Sequence, residues 1–202
     1  GGVHGANRLG GNGVANSTVF GGIAGDVMGA RTAHGSALPE PDKHAIEAAY
    51  ERAFTPLGRK PGDLPAMRER LYSIMWDDVG ILRTAESLRR GQAVLEQLSG
   101  EIADCGVAGS DRRYNLTWMD RLNLENLTLV SRAICAAAEF RENSRGAHFR
   151  EDFPQTSDLA SSHYTSVTLV GETPAVKAEP VKFTRVQPGQ SLLRPKPTAV
   201  SA

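Results

Sequence analysis

Between residues 43 and 143 the apolar side chains fall at the three- and four-residue intervals of helices that bury one face, in four successive runs. Ile46, Tyr50, Ala53 and Phe54 share the face of a first helix, and the Pro- and Gly-containing stretch 56–62 interrupts the pattern. Asp63 is placed to cap a second helix, lined on one side by Leu64, Met67, Leu71, Ile74 and Met75. After a turn at 76–80, Thr84 caps a third helix with Leu88, Leu95, Leu98 and Ile102 inward, ending near Gly106 and Gly109. A fourth and longest helix is expected over about 118–143, with Leu127, Val130, Ile134, Ala137 and Phe140 at heptad-like spacing. Helices of this length with short connections predict an antiparallel bundle.

The flanks follow different rules. Residues 14–28 (VANSTVFGGIAGDVM) are apolar or small on nearly every side, as in a helix buried among other elements. Gly21, Gly25 and Gly29 recur there at four-residue spacing, each costing roughly 1 kcal/mol of helix propensity against Ala, which implies a neighbouring backbone that needs the room. Residues 31–42 form a Gly-, Pro- and Ser-containing connector. After Pro154, SVTLV and PVKFTRV alternate apolar and polar residues, which predicts a pair of strands or an extended arm. From Pro188 onward no periodicity remains, so a disordered tail is expected. Three parts result: 1–35, a Gly-rich loop and apolar helix; 43–154, the helical domain; and 155–202, the arm and tail. The fold class is mainly α, a loop plus buried helix leading into an antiparallel helical bundle and a short β arm.

Composition narrows the roles. With 202 residues, 40% of them hydrophobic, the chain is one domain or a piece of one. Lys+Arg 23 balances Asp+Glu 23, so no global field draws it to nucleic acid or to anionic lipid. Cys105 and Cys135 are too few for a metal cluster and read as small buried hydrophobes in a reducing compartment. No run reaches the roughly 20 apolar residues of a membrane span, so direct membrane insertion is not expected. The chain opens on Gly1-Gly2-Val3-His4 without an initiating Met, and it is expected to be the C-terminal part of a longer protein.

The segment with chemistry in it is His4-Gly5-Ala6-Asn7-Arg8-Leu9-Gly10-Gly11-Asn12-Gly13-Val14, where 11 of the 21 glycines cluster within residues 1–35. Glycines ahead of a helix let backbone N–H groups converge on an electron-rich atom at the positive end of the macrodipole. A lone Arg there suits a carboxylate through its planar fork. By itself the pattern reads equally as a Gly-rich turn whose Arg8 caps a helix end.

This segment resembles the loop and helix of the succinate dehydrogenase and fumarate reductase flavoprotein family, which typically reads HGANRLGGNSLLD. MRERLYSIMWDDVGILRTAESL and NLENLTLVSRAICAAAEFRENSRGAHFREDFP are similar to the helical C-terminal domain of the same family. The likeness covers about residues 1–154. It implies an FAD enzyme acting on succinate, fumarate or a related dicarboxylate, with an iron–sulfur subunit as partner, residues 1–35 as the C-terminal end of a flavin-binding α/β domain, and the rest of that FAD-binding domain lying upstream. The implied location is cytoplasmic, peripheral on the inner membrane through a partner subunit. By resemblance Arg8 grips a substrate carboxylate, His4 stands on the substrate side or orders the loop, and Asn12, Gly13 and Val14 meet the flavin. The family's Ser-Leu is Gly13-Val14 here, which loses a hydroxyl and keeps the N–H groups. The flavin-attachment His and the proton-donating Arg lie upstream in the family, so no catalytic residue is assigned within these residues. L-aspartate oxidase shares HGANR and the helical domain and is the rival within the class. A non-catalytic helical module docking on a redox subunit is the rival outside it.

The cluster Arg145, His148, Arg150, Glu151 and Asp152 resembles catalytic apparatus in composition, but mixed charges after a long helix more often pin a loop. His34, His44 and His163 lack partner spacing, the first two reading as solvated. Trp76 and Trp118 are expected in core or interdomain packing.

Overall fold

A computed structural model of the chain describes residues 10–33, 35 and 39–190. The described residues hold five α-helices, α1 (Asn12–Ala33), α2 (Lys43–Phe54), α3 (Leu64–Asp77), α4 (Ala85–Asp104) and α5 (Leu116–Phe140), with a 3-10 turn at Thr55–Gly58 directly after α2. Two short strands, β1 (Leu82–Arg83) and β2 (Phe149–Arg150), pair in parallel, and β3 (His163–Val170) and β4 (Thr173–Pro180) form an antiparallel hairpin.

The caps read from the sequence are present. Asp63 Oδ1 accepts from the Ala66 N–H at 3.1 Å. Thr84 forms a reciprocal capping box with Ser87, at 3.1 Å in each direction. Asp42 and Asn115 begin α2 and α5 in the same manner. The core forms where α3, α4 and α5 meet: Leu64, Leu71 and Ile74 from α3, Leu88, Leu95, Leu98 and Ile102 from α4, and Leu124, Cys135 and Ala138 from α5. Both cysteines are free and buried, as expected.

The inward face of α5 differs from the heptad reading. Leu127, Val130, Ile134 and Phe140 are exposed, and the buried face carries Arg121, Leu124, Thr128, Ser131, Arg132, Cys135, Ala136 and Ala138. Small side chains let α5 lie close on α4, so that Cys135 Sγ reaches the Leu88 carbonyl at 3.2 Å. A bulkier stripe would hold the helices apart. Leu95, fully buried, is therefore expected to cost about 2–5 kcal/mol on truncation to Ala by the transfer and cavity terms. Ile134→Ala is expected to cost only about 0.5 kcal/mol, the surface value, with paired urea melts as the measurement.

Three other expectations change. The helix read at 14–28 exists and is longer, but it is not buried among the described residues: Val14, Val19, Phe20, Ile23, Val27 and Met28 are each at least half exposed. Nothing lies within 4 Å of a Cβ placed at Gly21, Gly22, Gly25 or Gly29. The reason is that α3, α4 and α5 bury their faces on one another, and an all-round apolar helix has no single stripe to offer them. The second strand is Thr173–Pro180, within the stretch read as a connector, and not PVKFTRV. Gly171, at φ +62°, supplies the left-handed turn that pairs Val170 with Thr173, and Pro174 and Pro180 are tolerated because each strand of a two-stranded hairpin has a free edge. Trp76 is exposed, as are Ile46 and Tyr50 of α2, whereas Trp118 packs half-buried against the core as expected. Residues 191–202, most of the expected tail, lie outside the described residues.

Candidate functional site

His4 and Arg8 lie outside the described residues, as does His34. The part of the loop that is described enters α1 through Gly10 and Gly11. Gly11 sits at φ +81°, a conformation that strains any residue with a Cβ, and among the described residues no atom beyond the chain neighbours lies within 4 Å of the place a Cβ would occupy at either glycine. α1 then begins at Asn12, with no acidic residue in its first turn. The first N–H groups of a helix have no acceptor inside it, and here no carboxylate side chain from that turn competes for them. Gly13 is half-buried and Val14 exposed. The hydroxyls of Ser17 and Thr18 turn back onto the Gly13 and Val14 carbonyls, at 2.9 and 3.0 Å, and so leave the N–H groups alone. The arrangement presents an amide-lined, positively polarised end to whatever lies before it.

The sequence cluster downstream is drawn together at the C-terminal end of α5. Arg150 is 1% exposed. Its Nε and Nη2 grip Asp152 at 2.7 and 2.8 Å, and its Nη1 reaches the carbonyls of Ala138, Glu139 and Arg141 at the end of the helix, where no intrahelical N–H follows to pair with them. Asp152 in turn accepts from the Ala85 N–H at 2.8 Å, at the start of α4. This side chain thus ties the negative end of one helix to the positive end of another. The Arg150 guanidinium beside it and the Ala85 N–H hold the Asp152 carboxyl down, to about 2. Ser144 Oγ donates to Phe153 O and accepts from the Arg150 N–H, closing the loop. Glu151 contributes its backbone N–H to Arg83 O, and its side chain is exposed. The cluster is a docking network that pins the loop, as mixed charges after a long helix led one to expect.

His148, buried, stands between Arg83 Nη1 at Nδ1 (2.8 Å) and Arg141 O at Nε2 (3.2 Å). Those partners fix the neutral tautomer with the proton on Nε2, since Arg83 has only protons to give. Burial first, and then the charges of Arg83, Arg141 and Arg150, lower the His148 pKa from 6.5 against the opposing pull of the Arg141 carbonyl. A base with a depressed folded pKa contributes stability above its unfolded value, and that stability is lost as pH falls below about 6.5 toward the folded value. Unfolding free energy is therefore expected to decline between about pH 7 and 5. A His148→Gln chain, which keeps an acceptor for Arg83, is expected to lack that part of the slope in urea melts across the same range.

Two buried arginines on α5 were not anticipated. Arg121 donates to Ile102 O at 2.7 Å and to Glu125, capping the end of α4, and Arg132 pairs with Glu96 at 2.6 Å. The Arg121–Glu125 spacing was the one signal available in the sequence. Among the described residues no group of His, Cys, Asp and Glu could hold a metal ion.

Residues 68–193 match a family model described as the fumarate reductase flavoprotein C-terminal region. The chain is 35% identical over 161 residues to a subunit of the fumarate reductase (CoM/CoB) of Methanothermobacter marburgensis, covering 77% of this chain and 28% of that protein. It is 32% identical over 172 residues to an L-aspartate oxidase of Streptomyces coelicolor, covering 83% of this chain and again 28% of the relative. Among solved structures, a quinol-fumarate reductase with menaquinol molecules superposes with a TM-score of 0.80 at 26% identity, covering 93% of this chain and 33% of that one. The chain thus spans about a third or less of the length of these relatives.

Proposed function

Since this chain belongs to the succinate dehydrogenase and fumarate reductase flavoprotein family, we propose that it is the C-terminal part of an FAD-dependent oxidoreductase interconverting succinate and fumarate or a close dicarboxylate analogue. The observation that carries this reading is the entry to α1, with Gly11 at φ +81° and no acid in the first helical turn. The residues present fit a flavin there: backbone N–H groups of Asn12, Gly13 and Val14 would hold its electron-rich edge, and a side chain at Gly11 is the one thing the backbone refuses. FAD, when bound, supplies the hydride chemistry. The positive end of α1 favours negative charge beside it. Arg8, with a rigid fork, takes one substrate carboxylate and sets the orientation of the dicarboxylate, while His4 stands on the substrate side of the loop and orders it. No proton donor is assigned in these residues.

The exposed apolar surface of α1 supports a place for it against the missing N-terminal flavin domain. An iron–sulfur subunit is the proposed electron partner. No helix among the described residues is long and apolar enough to cross a membrane. The proposed location is cytoplasmic and peripheral on the inner membrane through that partner. The L-aspartate oxidase relative favours a second reading, oxidation of an amino dicarboxylate. Paired assays of the whole flavoprotein, anaerobic with fumarate and aerobic with aspartate, separate the two. Fumarate is expected to reoxidise a reduced viologen dye, whereas aspartate-dependent peroxide formation in air with no response to fumarate would assign the second activity.

A further inference from the structure

A cavity of about 340 Å³ lies between the end of α5 and the loop that leads into β3. That volume is at the small end of ligand pockets, which run from about 300 to 1,000 Å³. Asn143, 6% exposed, lines it. Its side-chain amide makes no hydrogen bond among the described residues, and its Oδ1 is closed off from solvent. Buried amides are almost always paired, because an unpaired one forfeits its hydration without return. Nothing in the fold needs this one.

The charges around it are sorted by depth. Arg145, half-buried in the wall, is held in place by Ser162 Oγ at 2.6 Å and by the carbonyls of Thr156 and Ser157 at 2.6 and 3.3 Å. Those acceptors are neutral, and among the described residues neither Arg145 nor the neighbouring Arg141 has a carboxylate at ion-pair distance. Arg141 is likewise spent on His163 O and Thr165 Oγ1. Arg141 feels the charge of Arg145, so two partly desolvated guanidinium groups share this end of α5 with no ion-paired carboxylate among the described residues. Two exposed carboxylates, Glu142 and Asp158, line the same cavity on its solvent side.

We propose that this cavity binds a small zwitterion, an α-amino acid, with its carboxylate on the Arg145 guanidinium, its ammonium toward Glu142 and Asp158, and the Asn143 amide between them. A simple anion satisfies the arginine but faces two carboxylates, and a simple cation faces the arginine. A molecule carrying both charges a few ångströms apart meets each with its opposite. The site is built from residues 140–178 and shares none with the loop before α1.

The test uses the full chain and L-alanine as probe, with acetate and ethylamine at equal concentration as its two halves. L-alanine is expected to raise the melting midpoint progressively with concentration, as binding to the folded state alone requires, and to shift the Asn143 side-chain amide signals in a nitrogen–proton correlation spectrum. Acetate and ethylamine are expected to do neither. Asn143→Leu keeps the shape and breaks no internal hydrogen bond, so it should melt at or above the parent midpoint and lose the response. Asp158→Asn, at an exposed position, should retain the fold and weaken the response at least severalfold. The proposal is overturned by the absence of any response to L-alanine, by an equal response to acetate or ethylamine, or by an undiminished response in either variant.

Discussion

Replacing Arg150 by Met is expected to lower the unfolding free energy by about 3–5 kcal/mol, because several helix-end carbonyls lose a buried charged donor at about 1–3 kcal/mol each, while the exposed Asp152 stays solvated. Met fills most of the volume of the arginine stem but makes none of its polar contacts. Asp152 would keep only the Ala85 N–H, and the carbonyls of Ala138, Glu139 and Arg141 would lose the guanidinium. The effect should be concentrated where the guanidinium acts. Hydrogen exchange is expected to accelerate in the last turn of α5, the first turn of α4 and the 144–153 loop ahead of the α3–α4 core. Arg150→Lys tests the geometry apart from the charge, since one ammonium cannot both clasp a carboxylate with two bonds and cap a helix. It should recover only a minor part of the loss. A cost under about 1 kcal/mol in both variants would mean that the network is ornamental.

In the whole flavoprotein, Arg8→Lys is expected to lower turnover by about 100-fold, the scale at which a displacement of about 1 Å of a bound substrate is felt in the rate. Lysine keeps the charge and removes the fork, so a dicarboxylate stays attracted but loses its alignment. The Michaelis constant should rise as well, and kcat/KM should fall by more than kcat. FAD content and Tm should be nearly unchanged. A loop-capping arginine would give the reverse pattern, with weaker flavin retention or a lower Tm and normal activity per bound FAD. Kinetics normalised to flavin absorbance, run beside a thermal melt, distinguish the two.

The sequence by itself determined the helices of the bundle and two of their starts. Asp63 and Thr84 stand directly before periodic apolar runs, and capping is a contact within one turn that needs no distant partner. Leu88, Leu95, Leu98 and Ile102 face inward as read, because α4 has one apolar stripe and hence one face to bury. The family was legible too, in strings such as SRGAHFREDFP, as was the structural use of that string.

What the tertiary structure decided lies where local pattern offered two answers. α5 carries two candidate stripes, and the larger one, Leu127, Val130 and Ile134, lost to the face of Leu124, Thr128, Ser131 and Cys135, which lies against α4 closely enough for Cys135 Sγ to reach the Leu88 carbonyl. The partner of β3 was settled by the left-handed Gly171 and not by alternation, which favoured a later segment. The orphaned amide of Asn143 has no sequence signature. An asparagine just past the end of a helix is ordinarily a cap or a surface residue, and its burial here is a property of the tertiary fold. α1 marks the opposite case: its composition demands burial on every side, and burial is a property of the surfaces brought together around a helix, which this stretch of chain does not itself supply.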